Sequence, residues 1–141
     1  MLRRTLLLSL ACAATAAVAA GPAMAASRQF QSPTGNIACW IEGGTSVRCE
    51  ITQRDWSPPP KPRACRLDWG QGLVLGARNR PGFLCAGDTI QPPPSDPYPV
   101  LRYGRSLRVG SITCTSARTG VTCTNRARHG FTLSRQRYRL F

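Results

Sequence analysis

The stretch NIACWIEGGTSVRCEI, residues 36–51, alternates apolar and polar residues on either side of a Gly-Gly pair. Ile37, Cys39 and Ile41 share one face of the first half, and Val47, Cys49 and Ile51 share one face of the second. Alternation with a period of two marks half-buried strands, and Gly43-Gly44 between them marks the turn of a hairpin. If Cys39 faces Cys49, then Ile41 faces Val47 and Ile37 faces Ile51, so a single disulfide register aligns the whole apolar face. The other face then pairs Trp40 with Arg48 in an exposed cation–π contact.

The same device returns in SITCTSARTGVTCTN, residues 111–125, where Ile112-Thr-Cys114 and Val121-Thr-Cys123 echo Ile37-Ala-Cys39 and Val47-Arg-Cys49. Pairing Cys114 with Cys123 sets Thr113 opposite Thr124 and Thr115 opposite Thr122, four threonines on the polar face, where Thr is a good strand residue that tolerates water. Between the two hairpins, Leu73-Val74-Leu75 and Phe83-Leu84 flank Asn79-Arg80-Pro81-Gly82 and read as a third hairpin, with Cys65 and Cys85 tying its ends. Two proline-rich stretches, residues 57–62 and 91–99, frame it as stiff connectors. VLRYGRSLRVG, residues 100–110, reads as strand, turn and strand, and residues 133–141 as a terminal strand. No segment sustains a helical period. The expected fold is all-β: a small disulfide-stabilised sandwich or partly open barrel of roughly seven to nine short strands in antiparallel hairpins.

Residues 1–25, MLRRTLLLSLACAATAAVAAGPAMA, have the form of a signal peptide: Arg3-Arg4, an apolar run, then Ala23-Met24-Ala25 as a cleavage signal. The paired arginines leave the general and the twin-arginine routes both open, and Ser9-Leu10-Ala11-Cys12 is a poor lipoprotein signal. Residues 26–141 then form a single β domain, secreted or held in the cell envelope or periplasm. Removing Cys12 leaves Cys39, Cys49, Cys65, Cys85, Cys114 and Cys123, an even number for an oxidising compartment. Six cysteines allow several connectivities, and hairpin register favours pairing neighbours in sequence: Cys39–Cys49, Cys65–Cys85 and Cys114–Cys123. No Cys-x-x-Cys occurs and His129 is the lone histidine, which argues against a structural zinc.

The chain is strongly basic, with 19 Lys+Arg against 6 Asp+Glu and a formal net charge of +13. Nine arginines and no acid lie from Pro97 to Phe141, so one end of the chain projects a positive field. GC-rich coding accounts for Arg over Lys but not for the missing acids. Arg105, Arg108, Arg126, Arg128, Arg135, Arg137 and Arg139 are the candidate anion-binding residues. If residues 133–141 are one strand, Arg135, Arg137 and Arg139 form a row on one face.

Catalytic constellations are sparse. His129 is the only imidazole, with Ser134 five residues on as a candidate nucleophile and Asp88 or Asp96 as orienting acids, and no Gly-x-Ser-x-Gly elbow is present. The six acids form no glycosidase motif, and no phosphate-cradling glycine loop occurs. The reading is a non-enzymatic module with no cofactor and no metal. Its partner is an anionic polymer or surface: nucleic acid, acidic polysaccharide or anionic lipid. The alternative is an extracellular protein partner, met as an inhibitor meets its target through the rigid proline loops; a small hydrolase ranks below both.

FQSPTGNIACWI, CRLDWG, FLCAGDT, LRYGRSLRVGSITCTSARTGVTCTN and HGFTLSRQRYRLF together resemble a family of small secreted bacterial proteins, mostly actinobacterial, catalogued as a domain of unknown function. The resemblance runs from Phe30 to Phe141. It implies export and a shared disulfide framework and transfers no catalytic or ligand-binding residue. The leader makes a direct prediction: intact-mass analysis of protein recovered outside the cytoplasm should show a chain beginning at Ala26, and a chain retaining residues 1–25 there would refute the cleavage.

Overall fold

The computed structural model describes Gly21 and residues 25–141. The leader thus lies, apart from Gly21 and Ala25, outside the described residues. Ten strands and no helix occur among them: β1 Arg28–Gln31, β2 Ile37–Glu42, β3 Ser46–Ile51, β4 Asp68–Gly76, β5 Gly82–Ala86, β6 Ser106–Val109, β7 Ile112–Ala117, β8 Gly120–Thr124, β9 Gly130–Leu133 and β10 Tyr138–Leu140. They form two antiparallel five-stranded meanders, β1-β2-β3-β4-β5 and β10-β9-β8-β7-β6. Neither sheet closes on itself, so of the two architectures read from the alternation the sandwich is the one adopted.

The hairpin registers follow the alternation residue by residue. Cys39 pairs with Cys49, Ile41 with Val47 and Ile37 with Ile51; Cys114 pairs with Cys123, Thr113 with Thr124 and Thr115 with Thr122. Disulfides join Cys39–Cys49, Cys65–Cys85 and Cys114–Cys123. The two hairpin disulfides point inward, and the Cys49 and Cys123 sulfurs lie 3.9 Å apart in the middle of the core. Ile41, Val47, Leu73, Leu75, Ile112, Val121, Phe131 and Leu133 close around them, each fully buried.

β3 therefore lies over β8. At one border Phe83 of β5 stacks edge-on to Tyr138 of β10 at 4.9 Å, and Trp56 joins both rings. The β2–β3 turn meets the β6–β7 turn through Ser111 N–H donating to the Gly44 carbonyl at 2.7 Å. Gly44 and Gly110 both have positive φ, and a Cβ on Gly110 would stand 2.6 Å from the Gly44 oxygen. Only glycine lets two backbones meet so closely in that conformation. The contact places the β2–β3, β4–β5, β6–β7 and β8–β9 turns at one end of the sandwich, and the β1–β2, β7–β8 and β9–β10 turns at the other.

Four expectations are corrected. Residues 100–103 make no strand; Val100 forms an isolated parallel bridge to Gln31, because the chain there is crossing from one sheet to the other. The tail is not one strand: Ser134 bonds Arg137 through both its N–H and its hydroxyl, which turns the chain and makes β9 and β10 a hairpin. With β1 also present, the strands number ten. Trp40 and Arg48 do pair across β2 and β3, but the guanidinium turns away from the indole to Glu50 and Asp88, since charge-assisted hydrogen bonds outweigh an exposed cation–π contact.

Glu50 explains how the sheets are joined. It points to the outer face of the first sheet, yet it is 3% exposed, because residues 87–99 cross over that face as a strap. Its carboxylate accepts from Arg48 Nε at 2.7 Å, Thr89 Oγ1 at 2.6 Å and the Ile90 N–H at 3.2 Å. Arg48 also donates to Asp88 Oδ1 and to the Asp88 carbonyl, and Gln29 donates to Tyr98 at the far edge. Hydrogen bonding to Arg48 holds the Asp88 carboxyl below its ordinary 3.8. With a lowered folded-state value, that contact is fully present above pH 3.8 and is lost as the pH falls through the lowered value.

Two stability predictions follow from this frame. Loop length alone would make Cys65–Cys85, with a sequence separation of 20, the stronger cross-link over Cys39–Cys49 with 10; each contributes about 3 kcal/mol in the chain-entropy model. Because Cys39 and Cys49 also fill the core, the C39A/C49A protein should melt lower by calorimetry than C65A/C85A, and the reverse order would refute the packing role. Glu50→Gln should cost about 2–3 kcal/mol and speed amide exchange at Ile90 well beyond that at Cys123; unchanged exchange at Ile90 would show that Glu50 does not hold the strap.

Candidate anion-binding surface

A cleft of about 450 Å³ opens at the end of the sandwich where the β1–β2, β7–β8 and β9–β10 turns meet. Ser32, Thr34 and Asn36 line it from the β1–β2 turn, and Thr52 and Gln53 from the segment after β3. Tyr103, Arg118, Arg135 and Gln136 complete the wall facing them. The lining holds two guanidiniums, several hydroxyls and carboxamides, and no carboxylate.

Each cation is held differently. The Arg118 guanidinium lies over the Tyr103 ring, 5.0 Å from its centroid, and takes part in none of the ion pairs among the described residues. Tyr103 is 37% exposed, so the ring steers the cation while both remain accessible. Arg135 faces Asp55 at 3.3 Å, with both side chains more than half exposed, a contact of at most about 1 kcal/mol. The backbone holds this wall more firmly: Asp55 N–H donates to the Arg135 carbonyl at 2.8 Å and Trp56 Nε1 to the Ser134 carbonyl at 2.9 Å. Asn36 is spoken for, its amide bonding the Gln53 backbone in both directions.

The arginines singled out in the sequence do not share one face. Arg135 and Arg137 sit in the β9–β10 turn, and Arg105 immediately precedes β6 and accepts the Ser116 N–H; all three belong to the cleft end with Arg118. Arg126 and Arg128 lie in the β8–β9 turn at the opposite end. Arg108 pairs with Thr113 on edge strand β6, and Arg139 with Thr132 on edge strand β10, so they flank the threonine-bearing outer face of the second sheet. The row Arg135-Arg137-Arg139 is broken by the turn at Ser134. Arg118, absent from the sequence-derived set, is the cation that lines the cleft beside Arg135; its signal is an acid-free turn, Ala117-Arg118-Thr119-Gly120, between the two strands of the second cysteine hairpin.

His129 and Ser134 bracket β9 and stand at opposite ends of the sandwich, separated by roughly 13 Å of strand; the structure does not bring them together. Glu50, Asp68 and Asp88 line one shallow recess on the first sheet. Glu50 and Asp88 are both engaged by Arg48, and Asp88 is shifted toward stronger acidity, away from the raised value a general acid needs. Of the proline stretches, residues 91–99 form part of the strap, and in the other Pro58 packs on Gly70 while the Pro59 carbonyl accepts Trp69 Nε1 at 2.8 Å. Among the described residues no group of His, Cys, Asp and Glu is arranged to hold a metal ion, and no helix is long and apolar enough to cross a membrane.

No curated protein and no solved structure matches the chain. A family model matches residues 6–141, nearly the whole sequence, and by that match the chain belongs to DUF6636, a family of unknown function.

Proposed function

We propose that the protein works outside the cytoplasm as a non-enzymatic module that binds anionic polymers through the cleft end of its sandwich. The observation that carries this reading is the lining of the cleft: Arg118 and Arg135 face it and no carboxylate does. Arg105 and Arg137 extend the same positive end. Three disulfides in so small a domain are consistent with an extracellular location. The uncharged part of the lining adds selectivity, since hydroxyls and carboxamides both donate and accept hydrogen bonds and Tyr103 offers a flat ring.

Binding by released counterions falls steeply with salt, and each lost phosphate or sulfate contact lowers the slope of log affinity against log salt by about one. The protein should be retained on heparin or DNA resin and elute above physiological salt. Replacing Arg105, Arg118 and Arg137 with Ala should bring elution to lower salt and reduce that slope by about two to three. Elution at or below physiological salt, unchanged in the triple variant, would overturn the proposal.

A further inference from the structure

The opposite end of the sandwich carries a second basic cluster that the cleft does not use. The β4–β5 turn reads Gly76-Ala-Arg78-Asn-Arg80-Pro-Gly82, and the β8–β9 turn reads Asn125-Arg126-Ala-Arg128-His129. The topology brings them side by side, and one side chain fastens them: Asn125 Nδ2 donates to the Gly76 carbonyl and to the Asn79 carbonyl, both at 2.8 Å. Its Oδ1 accepts the N–H groups of Ala127 at 3.0 Å and His129 at 3.1 Å. Asn125 is 8% exposed, and its amide is fully used in holding one arginine turn in shape and against the other.

Arg78, Arg80, Arg126 and Arg128 are all exposed, and none takes part in the ion pairs among the described residues. Four like charges on adjacent turns repel one another, and a buried, fully bonded Asn125 opposes that repulsion. The shape of the second turn is also specific. Arg128 is the one residue other than glycine with positive φ, at 63°, among the described residues; for a non-glycine residue that conformation costs on the order of 1 kcal/mol. The bonds from Asn125 impose it, and it aims consecutive arginines outward from a tight loop.

We infer that these two turns form a second anion site, which takes successive phosphate groups of a linear phosphate chain. The donor set selects the ligand. A guanidinium offers five N–H donors and no acceptor, and its planar fork fits tetrahedral oxyanions in pairs. Neither turn contains a carboxylate to accept from sugar hydroxyls, and neither contains a Phe, Tyr or Trp on which a base could stack; the one ring in them, His129, is half-buried. Glu42 and Asp88 line a recess with Gly76 at the base of the β4–β5 turn, but neither belongs to the turns, and Asp88 is engaged by Arg48. A ligand made only of closely spaced acceptors is the one these residues can satisfy.

The test is titration of the intact, disulfide-bonded protein with linear inorganic polyphosphate of about 15 units at low salt, followed calorimetrically. R80A/R126A should weaken binding about tenfold, whereas R63A/R66A, which removes the same charge elsewhere, should stay within about twofold. Asn125→Ala keeps all four charges and frees the turns; it should weaken binding about fivefold with its near-ultraviolet circular dichroism retained. Should Asn125→Ala misfold, the R80A/R126A comparison decides alone. Equal losses in R80A/R126A and R63A/R66A would reduce the effect to net charge and overturn the inference, as would equal affinity for a polyuronate of matched length. Loss of polyphosphate binding on Arg118→Ala, with the turn variants silent, would move the phosphate site to the cleft: this inference would fall while the proposed function stood.

Discussion

The contact between the Cys49 and Cys123 sulfurs, 3.9 Å apart, is where the two halves of the molecule meet. Each sulfur belongs to a disulfide that crosses a hairpin between directly opposed residues, with Cα atoms 4.1 Å apart, the close spacing of a pair without backbone hydrogen bonds between them. Such pairs project both side chains to the same face. Fixing one residue of each hairpin inward fixes its neighbours two residues away, so Ile37, Ile41, Val47 and Ile51, and likewise Ile112 and Val121, have no alternative to the core. A one-residue slip of either hairpin would turn the disulfide outward with the whole apolar set.

From that centre outward the structure becomes less local. The second sheet leaves its outer face to threonines and water, but the first sheet's outer face is covered: Ala38 is fully buried and Glu50 nearly so. Burying a carboxylate is tolerable only with full hydrogen bonding and a cation nearby, and Glu50 has both, from Arg48, Thr89 and the Ile90 backbone. The strap that brings Thr89 and Ile90 there also carries the chain from β5 at one edge to β1 at the other, and so to the second sheet. An electrostatic latch thereby sets the connection between the meanders.

This gradient matches what could be read in the sequence. Period-two alternation and cysteine spacing are local, and they were sufficient for three hairpins, the register of the two that their own disulfides cross, and the all-β class; the shifted register of β4 on β5 left no such mark. The strap was not legible, because nothing near Glu50 announces that residues some forty positions later will cover it. Nor was the β9–β10 hairpin: Ser134 turns the chain by bonding Arg137, without the Gly or Asn that usually marks a hairpin. The arginine count was legible, but the arrangement of the arginines was not, because turns alternate between the two ends of a meander and neighbours in sequence such as Arg128 and Arg135 end up at opposite poles. Arg118 and Asn125 gain their importance only from residues that topology brings to them, Tyr103 in one case and Gly76 and Asn79 in the other.

The missing acids of the C-terminal half acquire a structural sense from this partition. Each pole gathers several arginines, and a fold under pressure only for stability would place carboxylates among them, since like charges side by side weaken the turns that bear them. Neutral devices hold them instead: an aromatic ring under Arg118, backbone bonds around Arg135, and a buried carboxamide behind Arg126 and Arg128. At the cleft, Asp55 meets Arg135 in a solvent-exposed contact at 3.3 Å that an incoming anion can displace at little cost. Neutral supports fix the position of a cation without cancelling its field, and the field then extends outward, attenuated over about 8 Å at physiological salt. That combination of fixed geometry and uncancelled charge is what a surface needs to attract and orient an anionic partner.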